Sequence, residues 1–329
     1  ATESDISVAL LTDHLNTTKS KLAKQIGKRG VMEVLGDMQL LVGPPEQLCI
    51  SNAALMMFCE HLDKFFPYTQ VEITKFPEGS IKNPNNFIEV PVIKGSVPTM
   101  IKRTMEKLQD MVIEEKVTKV DYQMEAIRRY SYPYQALEEA VVNAFYHRDY
   151  QSYQAIIIEI EPDCVRIISY PGIDRSISQK TIAEGERFKS RYYRNKRLGE
   201  FLKELDLTEG KSTGIPTIQE ELRDNGSPKA TFETDDERRA VTVEIPIHPD
   251  FLMEQGEPQN EPQNEPQNAT SVEDAILQLI RMNKYVTREE MASQIEVSLS
   301  TVKRSINKLK TSGIIEYEGP SKGGYWSIK

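Results

Sequence analysis

Two sets of side chains in this chain have the types and spacing to do chemistry. Between positions 300 and 308, Ser300, Thr301, Lys303, Arg304, Asn307 and Lys308 fall opposite the apolar Val302, Ile306 and Leu309 of a helical pattern. Cations so placed bind phosphates with release of counterions, and short polar or amide side chains reach base edges in the major groove. Lys322, in the turn 319–324, is placed to touch an adjacent backbone or minor groove. The same pattern also suits a winged helix used for protein contact, or a solvated charged face. The second set is Glu139 and Asn143, four residues apart and so on one helical face, with His147 continuing the line. A carboxylate and an amide aligned in this way can orient a water and help hold a magnesium-bound phosphate. Spacing alone favours a simpler role, as polar groups on a helix edge that hydrogen-bond to loops.

The elements that must position the first set follow in order along residues 271–329. Ser271 to Met282 carries Ile276, Leu279 and Ile280 at helical spacing. Thr287-Arg288-Glu289-Glu290 is a capping box, which opens a second helix running to about Gln294. After a turn at 295–299, Ser300 is expected to cap a third helix that Gly313 stops. Two strands follow, 314–317 and 325–328, around the 319–324 turn. Three helices and a hairpin form a winged helix-turn-helix, an architecture that reads DNA.

Upstream, EPQN occurs three times between Glu257 and Asn268. Such a composition cannot bury a core and reads as a linker. About 17 free residues span roughly 20–25 Å as a flexible coil and up to about 50 Å if stiffened by proline. The expected organisation is an N-terminal α/β region over 1–125, a second domain over 126–250, a linker over 251–270 and the winged helix over 271–329.

The 329 residues carry a formal net charge of −9. From 271 onward, nine Lys/Arg stand against seven Asp/Glu, so the tail is about +2 and the rest about −11. An acidic bulk argues against non-specific coating of nucleic acid and leaves the tail as the plausible DNA contact. Cys49, Cys59 and Cys164 are unpatterned, sit in apolar settings, and read as buried free thiols in a reducing, cytoplasmic compartment. His14, His61 and His248 show no metal-ligand spacing. No stretch approaches the ~20 apolar residues of a membrane span, and no secretory signal opens the chain. Ala1 in place of Met points to a processed or truncated start.

In the body, helices are expected at 4–15, 20–35, 98–115, 134–150, 194–205 and 214–222, and strands at 71–76, 155–160, 164–169 and 240–246, with a loop over 77–97. Helices mixed with mainly antiparallel strands give an α+β fold, a two-layer α/β sandwich.

The stretch Tyr132 to Tyr150, containing Glu139, Asn143 and His147, resembles the signature helix of RecG C-terminal-like domains, within the superfamily of gyrase, chaperone, histidine kinase and MutL ATPases (GHKL). Ile168-Ser169-Tyr170-Pro171-Gly172 is similar to that family's serine-x-proline-glycine turn. Arg194-Asn195-Lys196-Arg197-Leu198 is similar to its arginine-asparagine helix start, and 209–215, ending on Gly214-Ile215, to its glycine-threonine-glycine-isoleucine turn. The tail looks like the winged-helix tails of bacterial transcription regulators, and Ser51–Phe58 with Lys64–Pro67 like the segment that follows a Schlafen/AlbA-type domain. That preceding domain is not in this chain, so a fragment is expected.

The resemblance implies ATP with magnesium as cofactor, Glu139 as general base, Asn143 as magnesium ligand, and His147, Gly172 and Gly214 around the nucleotide. The chain departs from ATP-hydrolysing members at the aspartate-x-glycine-x-glycine turn. Ser169-Tyr170-Pro171-Gly172-Ile173 occupies that place and has no carboxylate before Asp174. Gly210-Lys211-Ser212 is not a P-loop, because the first glycine that loop requires would be at Leu205. His147-Arg148-Asp149 lacks the asparagine of a kinase catalytic loop, since Gln154 stands there.

The expectation is a regulator that binds double-stranded DNA as a dimer, with a body for self-association or for sensing a small molecule or nucleotide. A GHKL-type ATP switch and a plain dimerisation scaffold are the alternatives.

Overall fold

The computed structural model describes residues 1–119, 126–185, 193–208, 214–252, 272–295, 297, 299–311, 313–318 and 324–328. The chain divides into two compact units, Ala1–Gln259 and Asn260–Lys329. Of the linker expected over 251–270, Phe251 and Leu252 end a short helix, Pro249–Leu252, with Phe251 buried, and the EPQN repeats lie outside the described residues.

In the first unit, runs of branched aliphatic residues make a six-stranded sheet. Its order is Ile88–Glu89, Val71–Lys75, Ile156–Ile160, Cys164–Ser169, Val241–Pro246, Thr231–Thr234. Val71–Lys75 and Ile156–Ile160 pair in parallel, and the remaining pairs are antiparallel. The two-residue period decides the faces. Ile156, Ile158, Ile160, Val165, Ile167 and Ile245 are buried on one side, beneath helices. The other side carries a cross-strand row in which Glu159 stands opposite Arg166 and Arg166 opposite Glu244. Arg166 Nε donates to Glu244 at 2.8 Å, and Arg166 Nη1 to Glu161 at 3.2 Å. Such partly solvated pairs add little stability. Their effect is to let this face meet water without a third layer.

Tyr134–His147 lies at the centre of the helical layer. Ala136, Leu137, Ala140, Val141, Val142, Ala144 and Phe145 are all buried, as a helix that is apolar on most of its circumference must be. It packs on the sheet strand Cys164–Ser169 and between the helices Val97–Val112 and Gly214–Asn225. One continuous core joins these elements to the N-terminal helices Val8–Thr17, Val31–Asp37 and Asn52–Phe58.

Several expectations need correction. The helix expected at 20–35 is a short 3-10 turn, Lys21–Lys24, and a separate helix, Val31–Asp37. Gly27 and Gly30 lie between them, where helical backbone is costly. The loop expected at 77–97 contains the edge strand Ile88–Glu89, and Thr231–Thr234 is a further strand that the alternation did not reveal. The helix expected at 98–115 is Val97–Val112, and a hairpin follows it, Glu115–Thr118 with Ile127–Tyr130. Cys49 is exposed, whereas Cys59 and Cys164 are buried free thiols. Cys49 is the outward residue of a two-residue strand whose Ile50 points inward.

The second unit has helices Val272–Met282, Arg288–Ile295 and Leu299–Thr311, then antiparallel strands Ile315–Glu318 and Tyr325–Ile328. Thr287 N–H donates to Glu290 Oε2 at 2.8 Å, and Glu290 N–H to Thr287 Oγ1 at 3.2 Å, which completes the capping box. Ser300 is not the cap expected of it: the helix begins one residue earlier, so Ser300 lies within the first turn. Gly313 has φ +71°, the left-handed geometry that ends the third helix. Trp326 joins helices and hairpin. Its backbone N–H donates to the Lys284 carbonyl at 2.8 Å and its indole Nε1–H to the Val286 carbonyl at 3.0 Å. Around it, Ile276, Ile280, Val286, Met291, Val302, Ile306, Leu309 and Ile315 form a closed core.

Candidate nucleic-acid interface and signature-helix site

The Leu299–Thr311 helix presents the side chains that its sequence pattern assigned outward. Val302, Ile306 and Leu309 are buried, so a rotation of about 100° per residue places Lys303, Arg304, Asn307 and Lys308 in solvent. Thr301 is half-buried. The side chain of Ser300 and the whole of Lys322 lie outside what the structure describes. Four of the seven candidate DNA contacts are therefore exposed on one face of one helix, held there by a packed opposite face.

On the signature helix, Glu139 and Asn143 meet as their spacing requires: Asn143 Nδ2 donates to Glu139 Oε1 at 2.9 Å. Gly214 lies against the same two side chains. A Cβ at Gly214 would fall 2.4 Å from Glu139 Oε1 and 2.5 Å from Asn143 Nδ2, so a larger residue there would have to displace the ends of these two side chains. Gly172 is brought elsewhere. It is buried, its N–H donates to the Arg238 carbonyl at 2.9 Å, and a Cβ there would fall 2.3 Å from Thr234 Oγ1. The strand ends of Thr231–Thr234 and Val241–Pro246 thus occupy the space beside Gly172.

His147 sits at the far end of the helix, in an aromatic stack. Its ring lies 4.9 Å from that of Tyr146 and 6.1 Å from that of Tyr193. Burial and the neighbouring Arg194 guanidinium hold its imidazolium down to about 4. A cationic neighbour and a neutral ring make a poor general acid at neutral pH.

Arg194 and Asn195 are partners of this helix that residue spacing does not reveal. Arg194 Nη1 donates to the His147 carbonyl at 2.9 Å, and Asn195 Nδ2 to the carbonyls of Tyr146 at 2.8 Å and Arg148 at 2.7 Å. These carbonyls lie at a helix C-terminus, where no intrahelical donor remains. Only the resemblance of 194–198 to a family motif singled the pair out in the sequence. Arg148 is buried in the same place, with Nη2 donating to the Tyr68 carbonyl at 3.0 Å and its guanidinium 5.6 Å from the Tyr150 ring centre. His147-Arg148-Asp149 is therefore a packed helix end.

The residues do not fit a bound magnesium nucleotide. Magnesium coordinates at about 2.0–2.1 Å and retains several waters, so the ion and its phosphates need space between Asn143 and the backbone that would cradle them. Here a Cβ added at Gly214 would already meet the Asn143 amide, and Gly172 is covered. Among the described residues, no three His, Cys, Asp or Glu side chains could jointly hold a metal.

With this geometry in view, residues 154–244 match the family described as "Putative ATP-dependent DNA helicase recG C-terminal", and residues 272–325 match the family described as "HTH domain". The chain carries a RecG C-terminal-like domain followed by a helix-turn-helix domain. The first match contains Gly172, Asn195 and Gly214 and begins after the helix bearing Glu139 and Asn143. Among solved structures, the chain is similar to the DIP2311 protein of Corynebacterium diphtheriae, at 16% identity and a TM-score of 0.56. The match covers 100% of this chain and 62% of that one, so the present chain spans under two thirds of its length. At this identity the likeness is one of fold. No curated protein matches. No described helix is long and apolar enough to cross a membrane. The helix-turn-helix domain supports DNA as a partner and a regulator-like role. Within it, Leu299–Thr311 stands where a recognition helix belongs.

Proposed function

We propose that this protein is a DNA-binding transcription regulator of the cytoplasm. Its helix-turn-helix domain reads double-stranded DNA, and its RecG C-terminal-like body serves self-association or the sensing of a small molecule. The observation that carries this reading is the exposure of Lys303, Arg304, Asn307 and Lys308 on a helix whose opposite face is packed into the core. Two such helices in a dimer would address two half-sites, and binding at the second would gain from effective concentration.

The test is a fluorescence-anisotropy titration of the full chain on duplex DNA across a range of salt. Lys303→Ala with Arg304→Ala is expected to weaken binding at least about tenfold and to reduce the salt slope by about one for each phosphate no longer neutralised. Unchanged affinity in the double variant removes the assignment.

A further inference from the structure

The approach of Gly214 to the Glu139–Asn143 pair is one of three attachments that fix the same helix. At its start, the Gly214 backbone rests on the two side chains of the signature helix. At its middle, the Gln219 side chain acts as a strand partner for Ala230: Nε2 donates to the Ala230 carbonyl at 2.8 Å, and Oε1 accepts from the Ala230 N–H at 3.1 Å. At its last residue, Asn225 does the same for Tyr130, accepting from the Tyr130 N–H at 2.9 Å and donating to its carbonyl at 2.7 Å. Ile218 and Leu222 are buried between these points. The Gly214–Asn225 helix is thus tied to the signature helix, to the residue that leads into the edge strand Thr231–Thr234, and to the Ile127–Tyr130 strand of the small hairpin.

We infer that Glu139 and Asn143 form a clasp that seats the Gly214–Asn225 helix, and that the body works without a nucleotide. A helix whose withdrawal would admit ATP needs one weakly held end. This one is held by bidentate amide hydrogen bonds at its middle and its last residue, and its first residue lies close against the Glu139 and Asn143 side chains. Moving the helix away from Glu139 and Asn143 to make room for a phosphate would strain the two backbone sites, at Ala230 and Tyr130, that its side chains pair. The residues that in an ATPase would work on a magnesium-bound phosphate here work on a backbone. A signal reaching the DNA-binding domain therefore does not come from nucleotide occupancy at this position.

The test uses the full chain, with thermal melting and hydrogen exchange as readouts. Gly214→Ala is expected to lower Tm and to speed exchange of the 214–225 amides about tenfold or more, since the added methyl must push the Glu139 and Asn143 ends out of the seat. Gly27→Ala is the control, because a Cβ there meets nothing within 4 Å, and neither readout should move. Where Gly214→Ala fails to fold, Asn143→Ala replaces it. That variant removes the hydrogen bond without adding bulk, and faster exchange is expected first in the 214–218 amides. Millimolar ATP with magnesium should leave the Tm and the exchange of the wild-type chain unchanged. Gly214→Ala behaving like Gly27→Ala overturns the clasp. A saturable rise in Tm with ATP that Asn143→Ala abolishes overturns the nucleotide-independence. Neither readout involves DNA, so this inference and the DNA-reading assignment stand or fall separately.

Discussion

His147 and Asn195 illustrate at the residue scale how a motif with chemical potential becomes part of a packed helix end. The His147 imidazole is held at about 4, whereas its value in the unfolded chain is near 6.5. Between these values the unfolded chain takes up a proton that the native state refuses. Stability from this group is therefore complete above pH 6.5 and falls as pH is lowered through the window to about 4, by at most about 3 kcal/mol. Denaturant titrations at pH 7.5 and pH 4.5 should show His147→Gln losing less stability on acidification than the parent; equal losses would contradict the assignment. Asn195→Ala strips one donor from two helix-terminal carbonyls and is expected to cost about 1–3 kcal/mol in chemical denaturation. Spacing alone would not show that Asn143 lies close to Gly214, because that depends on a chain segment far away in sequence.

At the scale of elements, the capping box and the Trp326 clamp organise the helix-turn-helix. Thr287→Ala removes one half of a reciprocal pair that satisfies two otherwise orphaned N–H groups. The expected loss is about 0.5–2 kcal/mol, read as a lower midpoint for the helix-turn-helix transition alone. The third helix was legible because its apolar face repeats at helical spacing and a positive-φ glycine ends it. The box at Thr287 was legible because it is local. Where elements depend on partners far away, the sequence was silent. Ile88–Glu89 has only two residues and exists because Thr74 and Lys75 offer ladder positions to it. The Glu115–Thr118 and Ile127–Tyr130 hairpin is short and carries exposed Val117, Ile127 and Tyr130, so it lacks the buried face that produces a clear alternation. Ser300 lies inside the helix because Leu299 already takes helical geometry, a shift of one residue that capping preference alone does not settle.

For the whole molecule, the two hydrophobic clusters share no residue, and each is closed within its own unit. Scanning calorimetry is therefore expected to resolve two transitions, with Thr287→Ala shifting one and Asn195→Ala the other; a single cooperative transition moved by both would refute this. By itself, the sequence determined that the chain carries a RecG C-terminal-like domain and a helix-turn-helix, and which side chains of the third helix face solvent. Period-3.6 patterning, local caps and glycine stops are written in neighbouring residues, and charge is additive along a chain. Tertiary structure alone decided what Glu139 and Asn143 do. Their spacing is equally that of a phosphate-binding pair and of a helix seat, and the choice rests on what stands opposite. That is Gly214, about seventy residues on, brought against them by a helix tied down at Ala230 and Tyr130. Which backbone approaches a side chain across such a separation is settled by packing, and local sequence carries no record of it.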